Sequence, residues 1–191
     1  PEAAVTPLAG LLPDGIAGAL GIAPAFRGRQ VFRWIHRGIE AFSGMSDLPA
    51  ALRATLEARA SILTSRVDSR SESEDGSVKL RIRLHDGAAI EAMSLQDGRG
   101  RRTACLSTQA GCGMGCAFCR TGLMGLARNL AAHEIVEQLL HLRRDTADVG
   151  NTVFLGRGVP LLNVAAVGAA DGVFSHDDGA AMSLRRITIS T

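Results

Sequence analysis

Three of the four cysteines in this chain fall in the run GCGMGCAFC, as Cys112, Cys116 and Cys119. Thiolates spaced C-x3-C-x2-C, on a loop loosened by Gly111, Gly113 and Gly115, can converge on one metal or cluster. A structural zinc site asks for a fourth ligand. A [4Fe–4S] cluster held by three thiolates keeps one iron open to a small molecule. Cys105 stands seven residues upstream of Cys112, too far to join the compact triplet, in a stretch that reads as a strand. By residue type alone it is a small buried hydrophobe before it is a nucleophile. Glu91 is a single carboxylate on an exposed strand face; general-base work would need neighbours that raise its pKa. Clustered thiols, with no basic n-region in PEAAVTPLAGLLPDGIAGALG, favour reduced thiols and a cytoplasmic location over disulfides and secretion.

The elements that must position these residues follow from hydrophobic periodicity. The first sixty residues read as short helices: Val31, Phe32, Ile35 and Ile39 recur at helical spacing. Ser46 and Asp47 are placed to cap a helix carrying Leu48, Leu52 and Leu56. SRSESEDGS (69–77) reads as a polar turn. Val78, Leu80, Ile82 and Leu84 alternate with Lys79, Arg81 and Arg83, Asp86-Gly87 is a hairpin turn, and 89–95 returns as a strand. From residue 103 strands and helices alternate: strands over 103–108, 151–156 and 185–191, helices over 131–143 and 164–174. That alternation implies parallel βαβ units, about three of them, too few to close a barrel. The expected fold class is therefore α/β, with a helical accessory domain over 1–62, a β-hairpin and linker over 63–102, and a partial barrel with the cysteine loop over 103–191.

The chain has 191 residues, 46% of them hydrophobic, which is a globular composition and excludes fibrous or disordered classes. No window reaches the ~18 uncharged apolar residues a membrane span requires. The net charge of +2 is uneven: residues 99–144 hold seven Arg against two Glu. The cysteines therefore lie in the basic stretch, which suits a polyanionic substrate such as RNA, or simply a solvated Arg-rich surface.

C-x3-C-x2-C with Phe118 before the last cysteine resembles the signature of radical S-adenosylmethionine (SAM) enzymes. The longer run CLSTQAGCGMGCAFCRTGLMGLARNLAAHEIVEQLLH is similar to the RlmN/Cfr family of RNA adenine methyltransferases. The likeness continues into NTVFLGRGVPLLN and RRITIST, and more weakly back into FRGRQVFRWIHRG. It implies a partial radical SAM barrel in which Cys112, Cys116 and Cys119 hold a [4Fe–4S] cluster and Phe118 packs near the SAM adenine. Gly156, Gly158, Val159 and Ser190 would contact SAM. In the family a methyl group is carried on a cysteine in the C-terminal part of the barrel and passed to C2 of an adenine in rRNA or tRNA. The resemblance makes Cys105 the cysteine that resolves the covalent adduct and Glu91 the proton acceptor. An electron donor such as a flavodoxin system is the implied partner.

Two departures stand out. The family's G-M-G-E-P reads Gly156-Arg157-Gly158-Val159-Pro160 here, and Val159 cannot accept from the SAM ammonium. Losing such a bond costs on the order of 1.5–3 kcal/mol, about ten- to hundredfold in affinity. Arg157 could meet the SAM carboxylate instead. No cysteine follows Cys119, so the methyl-carrying one is not among these residues, and these residues alone are expected not to transfer a methyl group. The alternatives are a degenerate relative that binds a cluster or RNA without catalysis, and a zinc-stabilised RNA-binding module with Cys105 as fourth ligand.

Overall fold

The computed structural model describes residues 5–146 and 149–190. It begins with β1 (Thr6–Pro7) and two helices, α1 (Pro13–Leu20) and α2 (Phe26–His36). Pro13 opens α1 where a missing N–H costs nothing, and Gly21, at φ 64°, closes it. The helices cross at Gly28, where a Cβ would fall 2.2 Å from the carbonyl oxygen of Pro13. Val31, Phe32 and Ile35 form the buried stripe of α2 as the spacing predicts, whereas Ile39 lies beyond the helix end. α3 (Ala50–Arg59) follows, and β2 (Ala60–Ser61) pairs in parallel with β1, tying the two ends of this region together.

The cap expected for α3 is not formed. Pro49 holds the N-cap position, and Asp47 accepts instead from Trp34 Nε1 at 2.6 Å and Gln30 Nε2 at 3.0 Å. Asp47 thus fastens α2 to the turn before α3, because an indole N–H at the edge of the core needs a partner.

Next come β3 (Arg66–Glu72), β4 (Val78–Arg83), β5 (Ala89–Gln96), β6 (Arg102–Leu106), and the short pair β7 (Gln109–Gly111) and β8 (Leu126–Asn129). The chain continues through α4 (Ala132–Thr146), β9 (Val149–Phe154), α5 (Val164–Ser175) and β10 (Ile187–Ile189). Six strands form one sheet in the order β10-β9-β6-β5-β4-β3. β10, β9 and β6 run parallel, and β6, β5, β4 and β3 alternate antiparallel. The βαβ units and the hairpin therefore share a single sheet.

β3 corrects the reading of 69–77 as a turn: its first residues are strand, and the turn is confined to 73–77. All seven residues of β3 are exposed, so no face is buried and no alternation marks it. The last strand is shorter than its 185–191 span: Leu184–Arg186 form a 3-10 turn, and Thr191 lies outside the described residues.

Helices α4 and α5 cover one face of the sheet, where Leu80, Ile82, Ile90, Ala92, Ala104, Leu106 and Phe154 are buried. The opposite face carries Lys79, Arg81, Glu91, Met93, Cys105 and Val153 by the period-two rule. Among the described residues no helix is long and apolar enough to cross a membrane.

Candidate active site at the open end of the sheet

The carboxyl ends of β6 and β9 meet the start of antiparallel β5 at one end of the sheet. Cys105 lies opposite Met93 on β5 and Val153 on β9, and Glu91, two residues before Met93, occupies the same face. Cys105 is 7% exposed. Burial pushes its thiol pKa up, against an opposing backbone hydrogen bond from Leu155.

Ser107-Thr108-Gln109, from the end of β6 into β7, links this face to the loop after β9 and to α4. Ser107 Oγ donates to the carbonyl of Glu91 at 2.6 Å and accepts from the Arg157 N–H at 2.9 Å. Gln138 of α4 brackets the Ser107 backbone, accepting from its N–H at 2.8 Å and donating to its carbonyl at 2.9 Å. The carbonyl of Arg157 in turn accepts from the N–H groups of Thr108 and Gln109 at 2.9 and 3.1 Å.

The cysteine loop hangs from the β7–β8 hairpin. Cys112 N–H donates to Gly125 O at 2.9 Å, and Cys119 N–H donates to Cys116 O at 3.0 Å. Gly111, at φ 84°, sits where a Cβ would fall 2.1 Å from Gly125 O, so only glycine lets the stem close. Cys112 is buried; Cys116 and Cys119 are half-buried. Among the described residues no three His, Cys, Asp or Glu side chains stand close enough to share a metal ion. The donor chemistry nonetheless suits an iron–sulfur cluster: residues 111–126 offer three thiols and no carboxylate, on a loop closed by its own backbone. Phe118 projects from this loop 94% exposed, with Met114, Leu123 and Met124 exposed on the same loop.

The loop after β9 is packed tightly enough to account for its glycines. A Cβ on Gly156 would lie 2.7 Å from the Leu106 carbonyl carbon, and Gly158, at φ 96°, would put one 2.5 Å from the Gln109 side chain. The Val159 N–H donates to Gln109 Oε1 at 3.1 Å. Ser190, just past β10, donates its N–H to Phe154 O at 3.3 Å. Arg157 is tied to its own chain. Its Nη2 meets Glu91 Oε1 at 3.0 Å, its Nη1 donates to Ala89 O at 3.2 Å, and its buried Nε has no hydrogen-bond partner.

A second charged network holds the hairpin to the rest of the chain. Arg128 on β8 donates to both carboxylate oxygens of Glu134 at 2.7 Å and to Asp86 at 2.6 Å. Burial works to raise the pKa of Glu134, which is 1% exposed, but hydrogen bonds from Arg128 and Ala131 outweigh it and hold the carboxyl below its ordinary value. Asp86, hydrogen-bonded by Arg128 and by the Ala88 backbone, is lowered to about 2.

Sequence reasoning brought out the cysteines, Glu91 and the glycine loop. Glu91 and Cys105 share one face of the sheet, and the glycine loop packs on Leu106 and Gln109. The other three cysteines lie on the β7–β8 hairpin without standing close enough to share a metal ion. It did not bring out Gln109, Asn129, Arg128, Glu134 or Gln138. Nothing in a single sequence distinguishes a buried amide from a solvated one.

A family profile described as the ribosomal RNA large subunit methyltransferase N-terminal domain matches residues 20–62. A protein of Treponema pallidum (strain Nichols), named "Probable dual-specificity RNA methyltransferase RlmN", is 50% identical over 184 residues, covering 96% of this chain and 54% of that protein. The Geobacter sulfurreducens protein named "Dual-specificity RNA methyltransferase RlmN" is 43% identical, over 87% of this chain and 46% of its own length. A crystal structure of a radical SAM methyltransferase from Sphaerobacter thermophilus superposes with a TM-score of 0.88 at 33% identity, covering 97% of this chain and 57% of that one. The chain thus spans about half the length of the relatives it matches. By sequence over nearly all its residues, and by fold, it is similar to about half the length of the proteins named RlmN and to the matching part of the radical SAM methyltransferase.

Proposed function

We propose that these residues form the N-terminal and cofactor-binding part of a cytoplasmic methyltransferase that modifies C2 of adenine in rRNA or tRNA. The observation that carries the reading is a closed loop with three thiols, hung over the same sheet end as Cys105, Glu91 and the glycine loop 156–158. Cys112, Cys116 and Cys119 would hold a [4Fe–4S] cluster, which when bound supplies the electron that cleaves SAM. The close-packed backbone at Gly156 and Gly158, with Val159 and Ser190, would receive SAM, and exposed Phe118 would pack near its adenine. Cys105 would resolve the adduct and Glu91 would accept the proton. The accessory helices of 1–62 and the hairpin of 63–102 would serve the partial barrel of 103–191, and a flavodoxin-type donor would reduce the cluster.

Val159 and the Arg157–Glu91 pair favour a second reading, in which cluster and RNA are bound without catalysis. Anaerobic reconstitution with iron and sulfide, followed by EPR with and without SAM, tests the first. A [4Fe–4S] signal that shifts on adding SAM supports it. A colourless zinc protein overturns it. A cluster that ignores SAM and yields no 5′-deoxyadenosine leaves the non-catalytic reading.

A further inference from the structure

The cysteine hairpin and the loop after β9 are separate stretches of chain attached to different strands, yet one side chain bonds to both. Gln109, at the foot of β7, accepts the Val159 N–H at Oε1 (3.1 Å) and donates from Nε2 to Asn129 Oδ1 on β8 (2.7 Å). Asn129 closes the circuit, donating from Nδ2 to Leu162 O at 3.0 Å. Gly158 is pressed against the same side chain, 2.5 Å separating its would-be Cβ from that of Gln109. Loop and amide are thus packed as well as bonded. Gln109 is 1% exposed, so its own amide is shielded from water, while Asn129 stands at the exposed edge of the hairpin. A carboxamide offers an acceptor on one side and a donor on the other, which is what a bracket between a backbone N–H and a side-chain carbonyl requires.

We infer that Gln109 is a positioning residue that couples the cysteine hairpin to the 156–163 loop, so that the state of one sets the geometry of the other. The inference rests on the proposed reading, in which the hairpin holds the cluster and the loop receives SAM. A hairpin held in place by its cluster then fixes Gln109, and Gln109 fixes Val159 and the backbone around Gly158. Asn129, on the hairpin, belongs to the same bracket.

The test uses the reconstituted chain, with SAM affinity and the SAM-induced EPR shift measured per mole of cluster, so that partial loss of iron does not imitate the effect. Gln109→Leu should keep its cluster and lose about tenfold in SAM affinity, with a smaller spectral shift. Asn129→Ala should move both readouts the same way from the hairpin side. The double variant should be no weaker than the worse single, because both cut one bracket. Gln109→Glu, which still accepts from Val159, should recover part of the loss. Single variants that bind SAM like the unaltered chain, or losses that simply add, overturn the inference. An unaltered chain that forms no cluster or ignores SAM removes the underlying reading instead, and that result is in hand before any variant is made.

Discussion

Arg157 and Glu91 face each other across the open end of the sheet, Nη2 to Oε1 at 3.0 Å. The two partners are unequal. Glu91 is partly exposed and can be rehydrated, whereas Arg157 is more deeply set and has an Nε that meets no acceptor.

Removing the acid should therefore cost more than removing the base. Glu91→Ala strands a mostly buried guanidinium and should lower stability by about 1–3 kcal/mol. Arg157→Met gives up a partly exposed pair, worth about 0–1 kcal/mol, but also relieves the unpaired Nε, and should stay within about 1 kcal/mol of the unaltered chain. Urea unfolding decides; the reverse ranking would sink the account of this pair.

The hairpin stem makes an equally sharp pair. Gly111→Ala forces a Cβ to 2.1 Å from Gly125 O at a φ of 84°, whereas a Cβ on Gly113 meets only Leu126 side-chain carbon at 3.5 Å. Gly111→Ala should leave the far-UV circular dichroism spectrum unchanged and abolish iron uptake. Gly113→Ala should retain most of it. Equal iron in both would show that stem closure does not govern the site.

Glu137, fully buried on α4, takes hydrogen bonds from the N–H groups of Thr64 and Ser65 at 2.9 Å each and from both hydroxyls. This one carboxylate pins the connection between the helical region and the sheet. Glu137→Ala takes the acceptor from four donors, of which the Ser65 hydroxyl alone keeps a neighbour in His141 Nε2 at 3.1 Å, and should cost about 2–4 kcal/mol. A loss below about 1 kcal/mol in chemical denaturation would mean the connection is held elsewhere.

Two histidines tie stability to pH. His141 is lowered to about 4 by burial and then by Arg144, with the Ser65 backbone opposing. His36 is lowered to about 4 by burial, Arg143 and His176. Both stay neutral in the folded chain, while the unfolded chain binds protons below about 6.5. Stability is then complete above that value and falls as pH drops toward 4, by roughly 3 kcal/mol per histidine at most. Melting temperatures from pH 7 to 5 should fall, and less steeply in His141→Gln. A flat profile in the unaltered chain would refute the assignment.

Much of this was legible in the residues. The alternation Val78, Leu80, Ile82 gave β4, and the apolar stripe of 131–143 gave α4, because each element has one buried face. The cysteine spacing located the candidate site. β3 was illegible because it buries nothing, and the Asp47 cap was misread because the Trp34 indole is a better-placed partner than the start of α3. Gln109, Asn129 and Gln138 were silent because their meaning lies in partners 20 to 50 residues away.

Helix α4 is buried continuously from Glu134 to Leu142, against the sheet on one flank and the N-terminal region on the other. Gly10 abuts the His133 backbone, Glu137 grips Thr64 and Ser65, and Arg144 donates to Ile39 O at 2.8 Å. These ties run along the helix from its first turn to its last, so α4 serves as a ruler rather than a tether. Arg128 ties the cysteine hairpin to the first turn of the same helix, so the accessory helices and the hairpin are referenced to one rigid element, and any molecule that touches both must match that placement.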